Sequence, residues 1–148
     1  MNGSKVDLIL KELMERYPVL MPVKEDIFKT YEILRDAFLQ DGTLLIAGNG
    51  GSCADSEHIV GELMKGFVKR RPVTPAFEQK LKEAEPELGE ELAKRLQGAL
   101  PAIALTGHPA LSTAFLNDVD GEMILAQQLC GYGAPGDVFL GISTSGNS

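Results

Sequence analysis

The 148-residue sequence has no tryptophan, only two cysteines and no long uninterrupted apolar run. Cys53 and Cys130 are too few for a disulfide framework or for the four ligands of a structural zinc motif. No segment reaches the ~18 apolar residues of a membrane-spanning helix, and acidic side chains interrupt the first apolar stretch, which is untypical of a signal peptide. The sequence therefore predicts a soluble, cytoplasmic protein with reduced thiols.

Basic residues are also few. Lys and Arg number 14 against 21 Asp and Glu, which gives a formal net charge of -7 at pH 7. Nucleic-acid-binding domains usually carry a basic face, so this balance argues against a nucleic-acid partner. A phosphorylated ligand would need a locally favourable site, because the average field of the protein repels anions.

Helical and strand-like segments alternate along the chain after two initial helices. Ser4 and Asp7 resemble a capping box that opens the first helix, and a second amphipathic helix follows over about residues 23–40. Strands that alternate with helices predict an α/β fold, a three-layer, doubly wound parallel sheet in flavodoxin-like order. The strand-like segments are residues 43–47, 101–106 and 138–143.

A glycine-rich loop, GNGGS at residues 48–52, follows the first strand and precedes a helix expected over about residues 54–65. Glycines let the backbone approach a ligand, and free N–H groups at the helix start attract anions. The loop lacks the Lys of a phosphate-binding P-loop, and Cys53 replaces the last glycine of a dinucleotide motif. The alternatives are a phosphate-binding loop and a glycine turn without a ligand.

A hydroxyl-rich loop, STSGNS at residues 143–148, follows the third strand. Its neutral donors could surround a phosphate, although a serine-rich loop is also common at a solvated surface. In the flavodoxin-like order the first and third strands are neighbours, and ligands bind at the carboxyl ends of such strands. The topology therefore predicts that both loops border one pocket, which favours a phosphorylated ligand.

His58 and Glu62 are spaced i, i+4 on the helix after the first loop, so their side chains share one face. A carboxylate there could transfer a proton next to a carbonyl, and the pair could fill two positions of a zinc site. The alternative is a solvated pair on a helix surface. Asn117 and Asp118, after the second strand, could likewise face the pocket or cap a helix.

Together these motifs resemble the sugar isomerase (SIS) domain family, in its phosphoheptose isomerase branch. The resemblance depends on GNGGS, a following helix with H-x-x-x-E-L, and a strand ending in GISTSGNS. It implies a single SIS domain over residues 1–148 that is incomplete at its C-terminus. Within it, residues 1–42 would form an N-terminal helical pair and residues 74–98 a helical insertion.

The resemblance implies a homotetramer with active sites between subunits that converts sedoheptulose 7-phosphate into a heptose 7-phosphate through an enediol. Glu62, with His58 beside it, would be catalytic, and the same two residues would bind zinc where a metal is present. Phosphate contacts fall on Ser52, Ser143, Thr144, Ser145 and Ser148. Further substrate contacts fall on Asn49, Gly50, Gly51 and Asp118.

Two departures from the family pattern qualify this expectation. The family's later helix, with a Gln and a His that complete the site, has no counterpart here, and Gly66 replaces an Arg. The alternative function is a non-catalytic, phosphosugar-binding SIS module, either a replication-initiator adaptor or a regulatory sensor. That adaptor lacks the equivalent of Glu62, so the presence of Glu62 favours catalysis.

Overall fold

Helices and strands alternate throughout the part of the chain that the computed structural model describes, residues 4–147. None of the helices in this range has the length and apolar composition needed to cross a membrane. Two short 3₁₀ segments span Pro18–Val23 and Gly121–Met123. The longer elements are α1 (Lys5–Arg16), α2 (Lys24–Leu39), β1 (Leu44–Gly48), α3 (Gly51–Met64), α4 (Pro75–Ala84), α5 (Gly89–Arg95), β2 (Ala102–Ala104), α6 (Pro109–Asp118), α7 (Ile124–Tyr132) and β3 (Val138–Ile142).

The three strands form a parallel sheet in the order β2-β1-β3. Leu44 of β1 pairs with Ala102 on one side and with Val138 on the other. The central strand is buried along its whole length, as expected for a strand covered on both faces. These observations confirm the predicted α/β class, the parallel sheet and the adjacency of the first and third strands.

Helices cover both faces of the sheet and complete three layers. On one face, Leu44 and Ile46 pack against apolar side chains of α2 and α3. On the other face, Leu45 and Ala47 join Leu105 and contact Leu125 and Leu129 of α7. The alternation of side chains along β1 thus divides the core into two halves.

The two N-terminal helices form as predicted. The Asp7 amide donates to the Ser4 hydroxyl at 3.2 Å, and the Ser4 amide donates to the Asp7 carboxylate at 2.8 Å. This reciprocal capping box starts α1 at Lys5. Pro18 opens the 3₁₀ segment directly after α1, and the next helix, α2, packs Leu34 and Phe38 onto the sheet.

The segment between α3 and β2 is helical, as predicted for residues 74–98, and its status as an insertion stays a prediction. Arg71 connects the two ends of this segment. Its Nε donates to the Gly98 carbonyl at 2.8 Å, and its terminal nitrogen donates to the Leu63 carbonyl. The Leu100 amide also donates to Leu63. Arg71 therefore anchors the end of α3 to the returning chain.

Two helices differ from what the sequence predicted. Helix α3 starts at Gly51, three residues before the expected start at Ala54, so Ser52 lies in its first turn. Helix α6 was not expected as an element, although Pro109 at its start is a common first helical residue. Both differences change the surroundings of the candidate site.

Asp137 connects the turn before β3 to the start of β1. Its two carboxylate oxygens accept from the Thr43 amide at 2.7 Å and the Ala134 amide at 2.8 Å. We expect Asp137→Ala to lower the free energy of unfolding by about 1–3 kcal/mol, because both donors lose their acceptor. Urea unfolding measures this loss. Asp137→Asn, which keeps one acceptor oxygen, should lose less, and equal stability of all three proteins would contradict the prediction.

Candidate functional site at the carboxyl edge of the sheet

The two predicted loops leave the sheet side by side. β1 and β3 are parallel neighbours, and Gly48 pairs with Ile142 at their carboxyl ends. The loop that starts at Asn49 and the loop that starts at Ser143 therefore emerge from the same edge. This confirms the convergence predicted from the strand order.

A cavity of about 810 Å³ opens at this edge and is large enough for a small-molecule ligand. The first loop contributes Asn49 and Gly50, and the second contributes Asn147. A smaller depression of about 280 Å³ contacts both Asn49 and Ser143. The larger cavity is lined by Gly48, Asn49, Gly50, Cys53, Leu105, Thr106, Ser112, Gly121, Glu122, Ile124, Leu125 and Asn147.

Glycine is required at two positions of the first loop. Gly50 has φ 58 and ψ -119, a backbone conformation that other residues rarely adopt. A Cβ atom on Gly48 would lie 2.6 Å from both the Cβ and the carbonyl oxygen of Ser52. The strand end and the first turn of α3 therefore touch, and the glycines allow this contact.

Ser52 is more enclosed than expected of a ligand-binding side chain. It is 6% exposed, and it is not among the residues that line the cavity. Its carbonyl accepts from the Ser56 hydroxyl at 2.7 Å, and its amide donates to the Asn49 carbonyl at 3.0 Å. Within this structure Ser52 holds the first turn of α3 in place, and its contact with phosphate stays a prediction.

The second loop folds on its own hydroxyls. The Ser143 hydroxyl accepts from the Gly146 amide at 2.9 Å, and the Ser145 hydroxyl accepts from the Asn147 amide at 3.2 Å. Thr144 is exposed at the surface of this turn, and Ser148 lies outside the described residues. A serine hydroxyl that accepts a hydrogen bond still carries a proton to donate, so this turn presents donors at the sheet edge.

The opposite wall of the cavity contains polar residues that sequence reasoning missed. The Thr106 hydroxyl, just after β2, donates to the Glu57 carboxylate at 3.3 Å. Ser112 of α6 and Glu122 of the following 3₁₀ segment also line the cavity. The carboxyl-edge rule could have identified Thr106, whereas Ser112 and Glu122 reach the cavity only through the fold of α6.

His58 and Glu62 form a pair, but not at the cavity of their own chain. His58 Nε2 lies 3.8 Å from Glu62 Oε1, and the two side chains are 78% and 47% exposed. Cys53 lines the cavity, and Glu57 contacts Thr106 at its wall. His58 lies five residues after Cys53, and Glu62 lies five residues after Glu57. Five residues rotate the direction of a side chain by roughly 140° around the helix axis. The pair therefore lies on the opposite flank of α3, and Glu62 is about 16 Å along the helix axis from Gly51.

Asp118 also lies away from the cavity lining. It ends α6, and its carboxylate accepts from the side-chain amide of Asn117 at 2.7 Å. Among the described residues, no group of three or more His, Cys, Asp or Glu could hold a metal ion. His58 and Glu62 supply two donors of the type that zinc accepts, which is half of a tetrahedral set.

The pKa shifts of two carboxylates arise on exposed helices and not at the cavity. A hydrogen bond from Arg35 lowers the pKa of Asp36. A hydrogen bond from Lys94 likewise lowers the pKa of Glu90. Each hydrogen bond stabilises the charged form of its carboxylate, on α2 and on α5 respectively, and neither pair contacts the candidate site.

Three curated proteins to which this sequence is similar are named phosphoheptose isomerase. The chain is 31% identical over 98% of its length to "Phosphoheptose isomerase" of Roseiflexus sp. (strain RS-1) and 33% identical over its whole length to that of Burkholderia pseudomallei (strain 1710b). It is a homologue of the phosphoheptose isomerases. A third homologue, from Aneurinibacillus thermoaerophilus, is 35% identical over 85% of the chain. No family model matches the sequence.

A solved structure supports the same relationship as these alignments. The structure of phosphoheptose isomerase GmhA from Neisseria gonorrhoeae superimposes with a TM-score of 0.61 at 28% identity, over 95% of this chain. The chain spans 56% of that structure, and 57%, 65% and 56% of the Roseiflexus, Burkholderia and Aneurinibacillus homologues, respectively. It therefore corresponds to less than two thirds of the length of these phosphoheptose isomerases.

Proposed function

We propose that the protein isomerises a phosphorylated heptose, converting sedoheptulose 7-phosphate into D-glycero-D-manno-heptose 7-phosphate. The observation that supports this most is the cavity shared by the loops after β1 and β3, in a homologue of the phosphoheptose isomerases. The hydroxyl loop and the start of α3 would bind the phosphate, since backbone and hydroxyl donors favour an anion there. A cytoplasmic location is part of this proposal.

The chemistry requires a proton to move between two adjacent carbons. A base takes a proton from C1 of the ketose while the C2 carbonyl oxygen gains one, which gives an enediol. The same group then returns a proton to C2, and the C1 hydroxyl loses its proton to form the aldehyde. We assign the carbon proton transfer to Glu62, with His58 within 3.8 Å of it.

A homo-oligomer, with four copies by family resemblance, would complete the site. Glu62 is exposed and lies off the cavity of its own chain, so a neighbouring copy would have to bring its Glu62 to the substrate. In this arrangement His58 and Glu62 could bind zinc together with two further ligands. A bound zinc ion would polarise a sugar carbonyl.

The direct test incubates the full-length protein with sedoheptulose 7-phosphate in D₂O. We expect formation of the heptose 7-phosphate and incorporation of solvent deuterium at C2, because the enediol exchanges its carbon proton. Proton and carbon NMR measure both. Binding of the substrate without product or deuterium incorporation would contradict the isomerase assignment.

A non-catalytic phosphosugar-binding module is the second candidate. The exposure of Glu62 and its distance from the cavity lining favour it. It predicts that the full-length protein binds sedoheptulose 7-phosphate, leaves it unchanged and associates with a replication initiator or a regulator. The deuterium experiment therefore separates the two candidates.

A further inference from the structure

The two sides of the cavity differ in chemistry. On one side, Asn147 and the start of α3 offer hydrogen-bond donors to an anion. On the other side, Thr106, Ser112 and Glu122 present two hydroxyls and a carboxylate, and we call these three residues the far wall. Among the described residues, no lysine or arginine lines the cavity. Because an ionised carboxylate only accepts hydrogen bonds, the far wall suits uncharged hydroxyl groups rather than a second anion.

Helix α6, which carries Ser112, is held by little apolar burial. None of its ten residues is buried, and Leu116 is 62% exposed. His108 occupies the N-cap position, but its side chain makes no capping hydrogen bond to the helix. Neither core packing nor a local cap therefore fixes the start of α6.

Helix α7, by contrast, is firmly packed on the sheet. Leu125 and Leu129 contact the buried cluster on that face, and Gln128 is 2% exposed. Ile124 and Leu125, at the start of α7, also line the cavity. This helix can therefore serve as a fixed support for α6.

A pair of aromatic side chains connects the start of α6 to the end of α7. The Tyr132 hydroxyl lies 3.1 Å from His108 Nε2, and the two rings stack with their centroids 5.6 Å apart. His108 lies two residues after Thr106, and its carbonyl accepts from the Ser112 amide at 2.9 Å. The pair thus joins the packed helix to the segment that carries both hydroxyls of the far wall.

The carboxylate of the far wall follows the position of α6 as well. The Asp120 amide donates to the Phe115 carbonyl of α6 at 2.9 Å. The Asp120 carboxylate in turn accepts from the Glu122 amide at 2.8 Å. A displacement of α6 would therefore move Glu122 together with Ser112.

We propose that His108 and Tyr132 are positioning residues that hold α6 against α7 and so form, at the far wall, a subsite for the hydroxyl groups of a polyol chain. The hydroxyls and the carboxylate of the wall would bind the part of the sugar remote from the phosphate. The apparent dissociation constant of such a ligand rises as the fraction of molecules with α6 in place falls. The binding role rests on the proposed function, whereas the positioning of α6 does not.

Amide hydrogen exchange of the full-length protein tests the positioning without any ligand. Tyr132→Phe keeps the ring and removes the hydroxyl, so the amides of α6 should exchange about threefold to tenfold faster, while those of α3 keep their rates. His108→Ala should have at least the same effect, and His108→Gln, whose amide can reach the hydroxyl, should restore part of the protection. Tyr31→Phe removes a hydroxyl from α2, on the other face of the sheet, and should change nothing. Unchanged exchange in α6, or equal acceleration in α3, would overturn the positioning.

Titration with glucitol 6-phosphate, an open-chain polyol phosphate without a carbonyl, tests the subsite. Tyr132→Phe and Glu122→Ala should each raise its dissociation constant about threefold to tenfold, because hydrogen bonds to the hydroxyls are lost. The affinity for inorganic phosphate should not change, since neither variant alters the two loops. Equal weakening of both ligands, or no binding of glucitol 6-phosphate by the parent protein, would overturn the subsite. The expected pattern in a protein that incorporates no deuterium into sedoheptulose 7-phosphate would keep the subsite and refute only the isomerase assignment.

Discussion

Glu62→Gln in the full-length protein is expected to lower the turnover of sedoheptulose 7-phosphate by about 10²–10⁴-fold or more. Glutamine has nearly the same shape and can still hydrogen-bond, but it cannot accept a proton from carbon. KM should change little, since the proposed phosphate contacts lie at the sheet edge and not at residue 62. Steady-state kinetics measure both parameters, and deuterium incorporation into the unreacted ketose should fall with kcat.

Two other carboxylates of α3 make this prediction specific. Asp55→Asn removes the same charge from an exposed position of the helix and should leave turnover close to that of the parent. Glu57 contacts Thr106 at the cavity wall, so Glu57→Gln is the sharper comparison. If Glu57→Gln abolishes turnover while Glu62→Gln does not, the base lies on the cavity flank of α3 and the assignment to Glu62 is wrong.

The sheet could be predicted because its strands have a simple physical signature. Each is a short apolar run between turn residues, and β1 is buried along its whole length. A parallel sheet covered on both faces selects such runs. The order β2-β1-β3 then determines which loops meet, and for this reason the sequence predicts that the two loops share a pocket.

Other features depend on contacts that the local sequence does not encode. Gly51 has a low helix propensity, and α3 starts there because Gly48 and Ser52 pack closely. The earlier start buries Ser52 and moves Glu62 farther along the helix. Ser112 and Thr113 weaken the apolar pattern of α6, so only Pro109 at its first position indicated a helix.

The same reasoning explains which site residues could be identified. Asn49, Gly50 and the hydroxyl loop follow strand ends, and their position results from the sheet alone. Thr106 obeys the same rule at β2 and could have been included. Glu122 lines the cavity only because α6 and the 3₁₀ segment fold back. Under the proposed function, Glu62 would need a neighbouring copy to reach a substrate.

Gly48→Ala is expected to have the second large effect, on both stability and phosphate binding. The new methyl group would lie 2.6 Å from the Cβ and the carbonyl oxygen of Ser52, and neither can rotate away. The strand and α3 must therefore separate, at a cost of about 1–3 kcal/mol in unfolding free energy. Displacement of the first turn of α3 also moves the N–H groups that would face the anion under the proposed function, so affinity for inorganic phosphate should fall at least about tenfold.

Gly61→Ala provides the matched control, because it adds the same methyl group to α3 at a position where, apart from the adjacent residues and the helix's own backbone, no heavy atom lies within 4 Å. Alanine at this helical position should stabilise the protein by up to about 1 kcal/mol, and phosphate affinity should not change. Urea unfolding and phosphate titration of both variants measure the difference. A Gly48→Ala protein as stable and as tightly binding as the Gly61→Ala protein would mean that the close contact of β1 with α3 does not shape the phosphate site.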